Sequence, residues 1–215
     1  MRPRAVLCDA MGTLLRLDRP IERLRGSLSA RGILISEEQA VAALTAEVRE
    51  YRAEHLRGVD NASVSELRHR CADVFREQLP SSLDHDRAHS VLMSLLRFQV
   101  LPGSKEALAQ LRDAGMGLAV VSNWDVSLEG AMLAVGLRGS FDVVVSSASV
   151  GAAKPDPAPL ARALELLGAE AEHALMIGDH AVDAEAAAAL GMNCAQVQPG
   201  TGITEAVAAI LALPA

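Results

Sequence analysis

Cysteine is scarce in this 215-residue chain, and the three present, Cys8, Cys71 and Cys194, stand far apart with no Cys-x-x-Cys pair. An odd number without close spacing points away from both a disulfide framework and a thiolate zinc site, and it fits a reducing, cytoplasmic setting. Long apolar runs are missing too. The run that follows the basic start, Ala5-Val6-Leu7-Cys8, is cut by Asp9 and is too short for a signal-peptide core. No other run is long enough to span a bilayer, so no membrane partner is expected. Positive charge is not in excess either: the formal net charge is -7, which argues against a nucleic-acid surface. Lysine is the rarest cation, with only Lys105 and Lys154 set against eighteen arginines. Arginine is this chain's default cation, so a lysine at a motif position carries information.

Half of the residues are apolar and 22% are charged, the profile of a soluble globular protein. The length suits a sizeable core with a smaller inserted domain. Short apolar runs at Arg4 to Cys8, Gly117 to Val121, Val143 to Val145, Ala174 to Ile177 and Cys194 to Val197 read as buried strands. Helical stretches separate most of them. Ser104 is expected to cap a helix stopping at Gly115, Asp125 one ending near Gly136, and Asp156 one ending at Gly168. The alternation predicts an α/β fold, a Rossmann-like parallel sheet with covering helices, formed by residues 1–15 and 98–215.

Residues 16–97 break the alternation, with four helix-like segments and no strand-like run, and are expected to form an inserted α-helical cap domain. Ser36-Glu37-Glu38-Gln39 and Ser63-Val64-Ser65-Glu66 both match the capping-box pattern, and Gly32 and Gly58 are natural stops. Val41, Leu44, Val48 and Tyr51 recur at helical spacing, which predicts the buried stripe of a small bundle. His85 and His89 share a helix face, yet with no third ligand in view they read as a solvated pair. The thirteen arginines of this segment read mainly as polar helix faces.

Chemistry concentrates at the strand ends. Asp9 opens into Ala10-Met11-Gly12-Thr13, one later strand runs into Ser122-Asn123, and another into Gly178-Asp179. In an open parallel sheet the carboxyl ends share one edge, so Asp9, Ser122 and Asp179 are expected to meet. Asp179 and Asp183 lie four apart in a loop leading into a helix, where both can face Asp9. Three close carboxylates repel one another, and a hard cation such as Mg2+ relieves this. The plainer alternative for each acid is a turn or helix cap.

Together, Asp9 to Thr13, Ser122-Asn123, Lys154-Pro155 and Gly178-Asp179 to Asp183 resemble, in order, the four motifs of the haloacid dehalogenase-like superfamily, and the match covers the whole chain. The resemblance implies a hydrolase, most members being Mg2+-dependent phosphatases, with the inserted helices as a mobile cap. It implies that Asp9 is a nucleophile forming an aspartyl-phosphate. Ser122, Asn123, Lys154, Gly12 and Thr13 would receive the phosphate of a small phosphorylated substrate. The metal contacts it implies are Asp9, Asp179 and the backbone carbonyl of Met11, with Asp183 behind them. No feature sets an oligomeric state.

Met11 departs from the pattern. Phosphatases of the superfamily carry a second Asp at this position as general acid and base, which methionine cannot replace. Asp125 and His180 are the nearest substitutes in sequence. An aliphatic residue here also resembles the 2-haloacid dehalogenases, which work without metal. Those enzymes, however, lack the leading acid of the fourth motif and carry a Tyr where this chain has Leu160. Phosphonoacetaldehyde hydrolases need a cap lysine, and none lies between residues 16 and 97. A binding protein with little turnover is the third reading, which the retention of Asp9, Lys154, Asp179 and Asp183 opposes.

Overall fold

The computed structural model describes residues 2–214. In chain order its elements are β1 (Ala5–Cys8), β2 (Leu15–Leu17), α1 (Pro20–Ser29), α2 (Glu37–Glu54), α3 (Asn61–Glu77), α4 (His85–Leu95), β3 (Phe98–Val100), α5 (Ser104–Asp113) and β4 (Gly117–Ser122). They continue with α6 (Leu128–Ala134), β5 (Val143–Ser146), α7 (Ser147–Val150), α8 (Ala158–Leu167), β6 (Ala174–Gly178), α9 (Ala181–Ala189), β7 (Asn193–Gln196) and α10 (Thr204–Leu211). The chain divides into two compact units, one running through Arg16 and again from Gln99, the other Leu17–Phe98.

The first unit is built on a parallel sheet in the order β5-β4-β1-β6-β7. β1 is buried along its whole length, as a central strand covered on both faces must be. Its neighbours are in register, Cys8 lying opposite Val120 on β4 and Ile177 on β6. The chain leaves β1 for β4 on one side and later returns to β6 on the other, so the crevice of the fold opens at the carboxyl end of β1. Asp9 is the next residue, which is how an aliphatic strand delivers a carboxylate to that crevice. Helix α9 supports it closely: Ala186 and Ala187 are fully buried against the sheet.

The second unit packs α1 to α4 around Leu24, Leu28, Leu67, Phe75, Val91 and Leu92. Ser36 caps α2 with a reciprocal bond from Gln39, as its sequence predicts. Other details differ. The reciprocal box of α3 joins Asp60 and Ser63, one turn before the predicted start, because Asp60 offers a carboxylate to the Ser63 amide. The expected stripe of α2 is rotated: Ala40 and Ala43 face the core, Leu44 and Tyr51 pack at its margin, and Val41 and Val48 are exposed. Small side chains let the neighbouring helices approach, and that outweighs hydrophobicity residue by residue. A groove of about 550 Å3 runs along this outer face, lined by Val41, Thr45, Arg49 and Gln78 among others.

Two short strands that the sequence did not predict, β2 and β3, pair at the two ends of the helical segment, three residues each being too few to show a period. Ser104 is the first residue of α5 rather than its cap, and its buried hydroxyl has no hydrogen-bond partner among the described residues. Among the described residues no helix is long and apolar enough to cross a membrane.

Candidate active site

Asp9 follows β1 with its backbone still tied to the sheet, its N–H donating to the Ile177 carbonyl at 2.9 Å. The chain then turns sharply. Leu14 and Leu15 both donate to the Ala10 carbonyl, and Gly12 donates to that of Leu15. Gly12 has φ 91°, and a Cβ there would overlap the Asp179 carboxylate. Gly178 is constrained in the same way, since a Cβ on it would overlap Asp183. Both glycines therefore make room for carboxylates of the same site. Among the described residues, no backbone hydrogen bond of this turn engages the Met11 carbonyl.

Lys154 is 4% exposed, and its ammonium is surrounded by acceptors. It donates to Asp9 Oδ1 at 2.7 Å, to Asp183 Oδ1 at 2.5 Å and to the Val121 carbonyl at 2.9 Å. Ser122 Oγ donates to the same Asp9 oxygen at 2.9 Å. One carboxylate oxygen of Asp9 is thus fixed from two sides, which aims Oδ2 away from both donors. Burial alone would lower the Lys154 pKa, but Asp9 and Asp183 outweigh it and hold the ammonium above its ordinary range.

Asp183 is 1% exposed and uses both oxygens, Oδ1 for Lys154 and Oδ2 for the His180 backbone N–H at 3.1 Å. It is at once a helix cap and a partner of the lysine. Asp179 is half-buried and accepts from Thr13 Oγ1 at 2.9 Å. Burial raises the pKa of Asp179 and of Asp183; for Asp179 the Thr13 bond opposes this and Asp9 adds to it, and for Asp183 Lys154 opposes it. Asp9, Asp179 and Asp183 each offer an oxygen within 4.8 Å of the others.

Sequence reasoning missed the bracing of the lysine. The Asn123 side-chain amide grips the Lys154 backbone twice, donating to its carbonyl at 2.9 Å and accepting from its N–H at 2.8 Å. The Asn123 and Thr13 side chains are therefore engaged within the protein. Asp125 is fully buried and accepts from the Ser127 amide at 2.7 Å, so it braces a loop. His180 is exposed beside Asp179. Trp124 is buried, and its indole N–H donates to Ser127 Oγ at 3.3 Å within the same loop. Cys8 is a buried thiol that burial and then Asp9 push up to about 12.

A parallel sheet with covering helices and a lysine-braced acid cluster at its switch point defines a Rossmann-like α/β core. A sequence model of the haloacid dehalogenase-like hydrolases matches residues 3–191, and the chain belongs to that family. It is 40% identical over 97 residues to the human haloacid dehalogenase-like hydrolase domain-containing protein 3, an alignment covering 45% of this chain and 39% of that protein. A phosphoglycolate phosphatase of Aquifex aeolicus is 30% identical over 194 residues, covering 89% of this chain and 83% of its own length. The solved L-2-haloacid dehalogenase of Xanthobacter autotrophicus superposes with a TM-score of 0.69 at 24% identity, over 91% of this chain and 77% of that one, a likeness of fold.

Proposed function

We propose that the protein is a Mg2+-dependent phosphohydrolase of small phosphorylated metabolites, working through an aspartyl-phosphate on Asp9 within a core of residues 1–15 and 98–215 capped by residues 16–97. The observation that carries this reading is the charge balance at the strand ends. Three carboxylates against one ammonium leave two formal negative charges, which one hard divalent cation balances with oxygen ligands. Asp9, Asp179 and the Met11 carbonyl would hold it, with Asp183 behind them. Bound there, Mg2+ would supply charge stabilisation to the phosphoryl oxygens.

The chain's own residues account for the rest. Lys154 and Ser122 hold Oδ1 of Asp9, so Oδ2 is the attacking atom. As its bond to phosphorus forms, the ester P–O bond breaks and the electron pair leaves on the alcohol oxygen. That oxygen takes its proton from solvent, since Met11 has none to give. Water then attacks the phosphorus of the acyl phosphate, the Asp9 carboxylate departs, and inorganic phosphate is released. Backbone N–H groups of Thr13 and Asn123 are the donors for the phosphoryl oxygens, and the Lys154 ammonium adds its positive charge beside them.

The relatives named phosphoglycolate phosphatases make 2-phosphoglycolate the first substrate to try. Phosphate release is expected with Mg2+, abolished by chelation, and reduced in Asp9→Asn by on the order of 10⁴-fold or more. Halide release from L-2-chloropropionate without metal, and no phosphate release with it, would replace this reading by the dehalogenase one. Neither activity with any substrate of the two classes would leave a binding protein.

A further inference from the structure

Away from the strand ends, three of the six histidines gather on the surface of the helical unit, correcting the solvated pair expected of His85 and His89. His69 and Asp73 are one turn apart on α3, and His85 and His89 one turn apart on α4, so each pair shares a helix face. The facing pairs meet. His69 Nδ1 lies 2.9 Å from His85 Nε2, and His85 Nδ1 lies 2.7 Å from Asp73 Oδ1. The His89 ring stacks on His69 with centroids 4.1 Å and planes 11° apart.

We propose that His69, His85 and His89 form a binding site for one borderline divalent cation, of the Zn2+, Ni2+ or Cu2+ class, with Asp73 as the positioning partner of His85. Metal–imidazole bonds of about 2.0–2.1 Å place neighbouring ligand nitrogens about 2.9–3.3 Å apart. The His69 to His85 spacing already lies in that range. His85 presents Nε2 because its Nδ1–H is given to Asp73, the arrangement by which a carboxylate fixes a ligating imidazole. Burial, and then His69 and His85, hold His89 below its ordinary pKa, which keeps its nitrogens available as ligands. Binding replaces the N–H···N contact, shifts the His69 proton to its Nε2, and turns the His89 ring about its Cβ–Cγ bond. Water fills the remaining positions. Imidazole nitrogen selects this class of cation over Mg2+, which favours oxygen ligands, so the site is chemically separate from the carboxylate cluster. The bound ion would cross-link α3 and α4.

Titrating the full chain with Cu2+ in excess Mg2+, followed by electron paramagnetic resonance, reads the ligands directly. One equivalent with hyperfine structure from three nitrogens is expected. His69→Gln and His89→Gln should each remove one nitrogen and weaken binding by about 10-fold or more, and Asp73→Asn should weaken it about 10- to 100-fold with all three nitrogens retained. These side chains are at the surface, and Zn2+-induced slowing of amide exchange in α3 and α4, lost in the same variants, provides a readout on the folded chain. No uptake, an oxygen-only spectrum, or unchanged affinity in the doubly substituted chain would overturn the proposal.

Discussion

Lys154 and Glu47 are both buried charges, 4% and 7% exposed, and the two units treat them in opposite ways. Lys154 has two carboxylates and a carbonyl around its ammonium, so its charge is favoured despite burial. Glu47, on the inward face of α2, is dominated by burial, with Arg68 acting against it, and is pushed up to about 7. The same environment pushes the neighbouring thiol of Cys71 up to about 12, through burial and then Glu47. A site assembled for chemistry surrounds its charge with partners. A helix bundle assembled by packing can bury a carboxylate whose neutral form is stable enough.

Removing the partner from the compensated site should have the largest effect. Lys154→Met keeps the volume but leaves Asp9 and Asp183 buried without their ammonium. A cost of about 3–5 kcal/mol is expected for breaking a buried ion pair from one side. Denaturant unfolding of the strand-bearing unit, with Trp124 as its internal fluorophore, measures this. A cost below about 1 kcal/mol would mean that the acids are relieved in some other way, and the contrast with Glu47 would collapse.

Adding a carboxylate to the same turn sharpens the comparison from the other direction. Met11 is 37% exposed, so Met11→Asp places its charge at the mouth of the crevice, where water shares it. Little loss of stability is expected. Turnover should rise by about 10- to 100-fold on esters with poor leaving groups and hardly at all on p-nitrophenyl phosphate, whose leaving group needs no proton. The slope of rate against leaving-group pKa is the measurement. An unchanged slope would show that another group already delivers the proton, and exposed His180 is then the residue to replace.

What the sequence conveyed in advance follows the same division. Asp9, Ser122 and Asp179 could be placed together because each ends an apolar strand, and the rules of a parallel sheet do the rest. Lys154 was conspicuous through the rarity of lysine and through its place among the ordered motifs. Asn123 and Thr13 were named as phosphate contacts, but the bonds by which they brace the site left no local trace. Asn123 reaches Lys154 across 31 positions and Thr13 reaches Asp179 across 166, and neither contact has a periodicity to detect. The bundle was legible at Ser36, where cap and partner lie three residues apart, and illegible where packing decides. Val41 and Val48 lost the inward face to alanines, and His69 met His85 only because two helices happen to adjoin.

Glu47 gives the smallest expected effect and the most direct test of the uncompensated charge. Its pKa rises from an ordinary 4.5 to about 7 on folding, so the folded state holds the proton more tightly than the unfolded one. The sign follows from linkage: the stability is fully present below the unfolded pKa and is lost as pH rises through the folded value. The window is therefore from about pH 4.5 to about pH 7, with the curve flattening above. A shift of this size corresponds to roughly 1–3 kcal/mol across that window. Glu47→Gln keeps the shape of the neutral acid and removes the titration. The variant should match the parent near pH 4 and exceed it at pH 8, by about 1–3 kcal/mol. Two units need not unfold together, so the local measurement is amide exchange in α2 and α3, compared between parent and variant across pH. Parallel profiles would show that Glu47 is charged inside the bundle, held by Arg68 as firmly as Lys154 is by its acids. The two units would then handle buried charge alike.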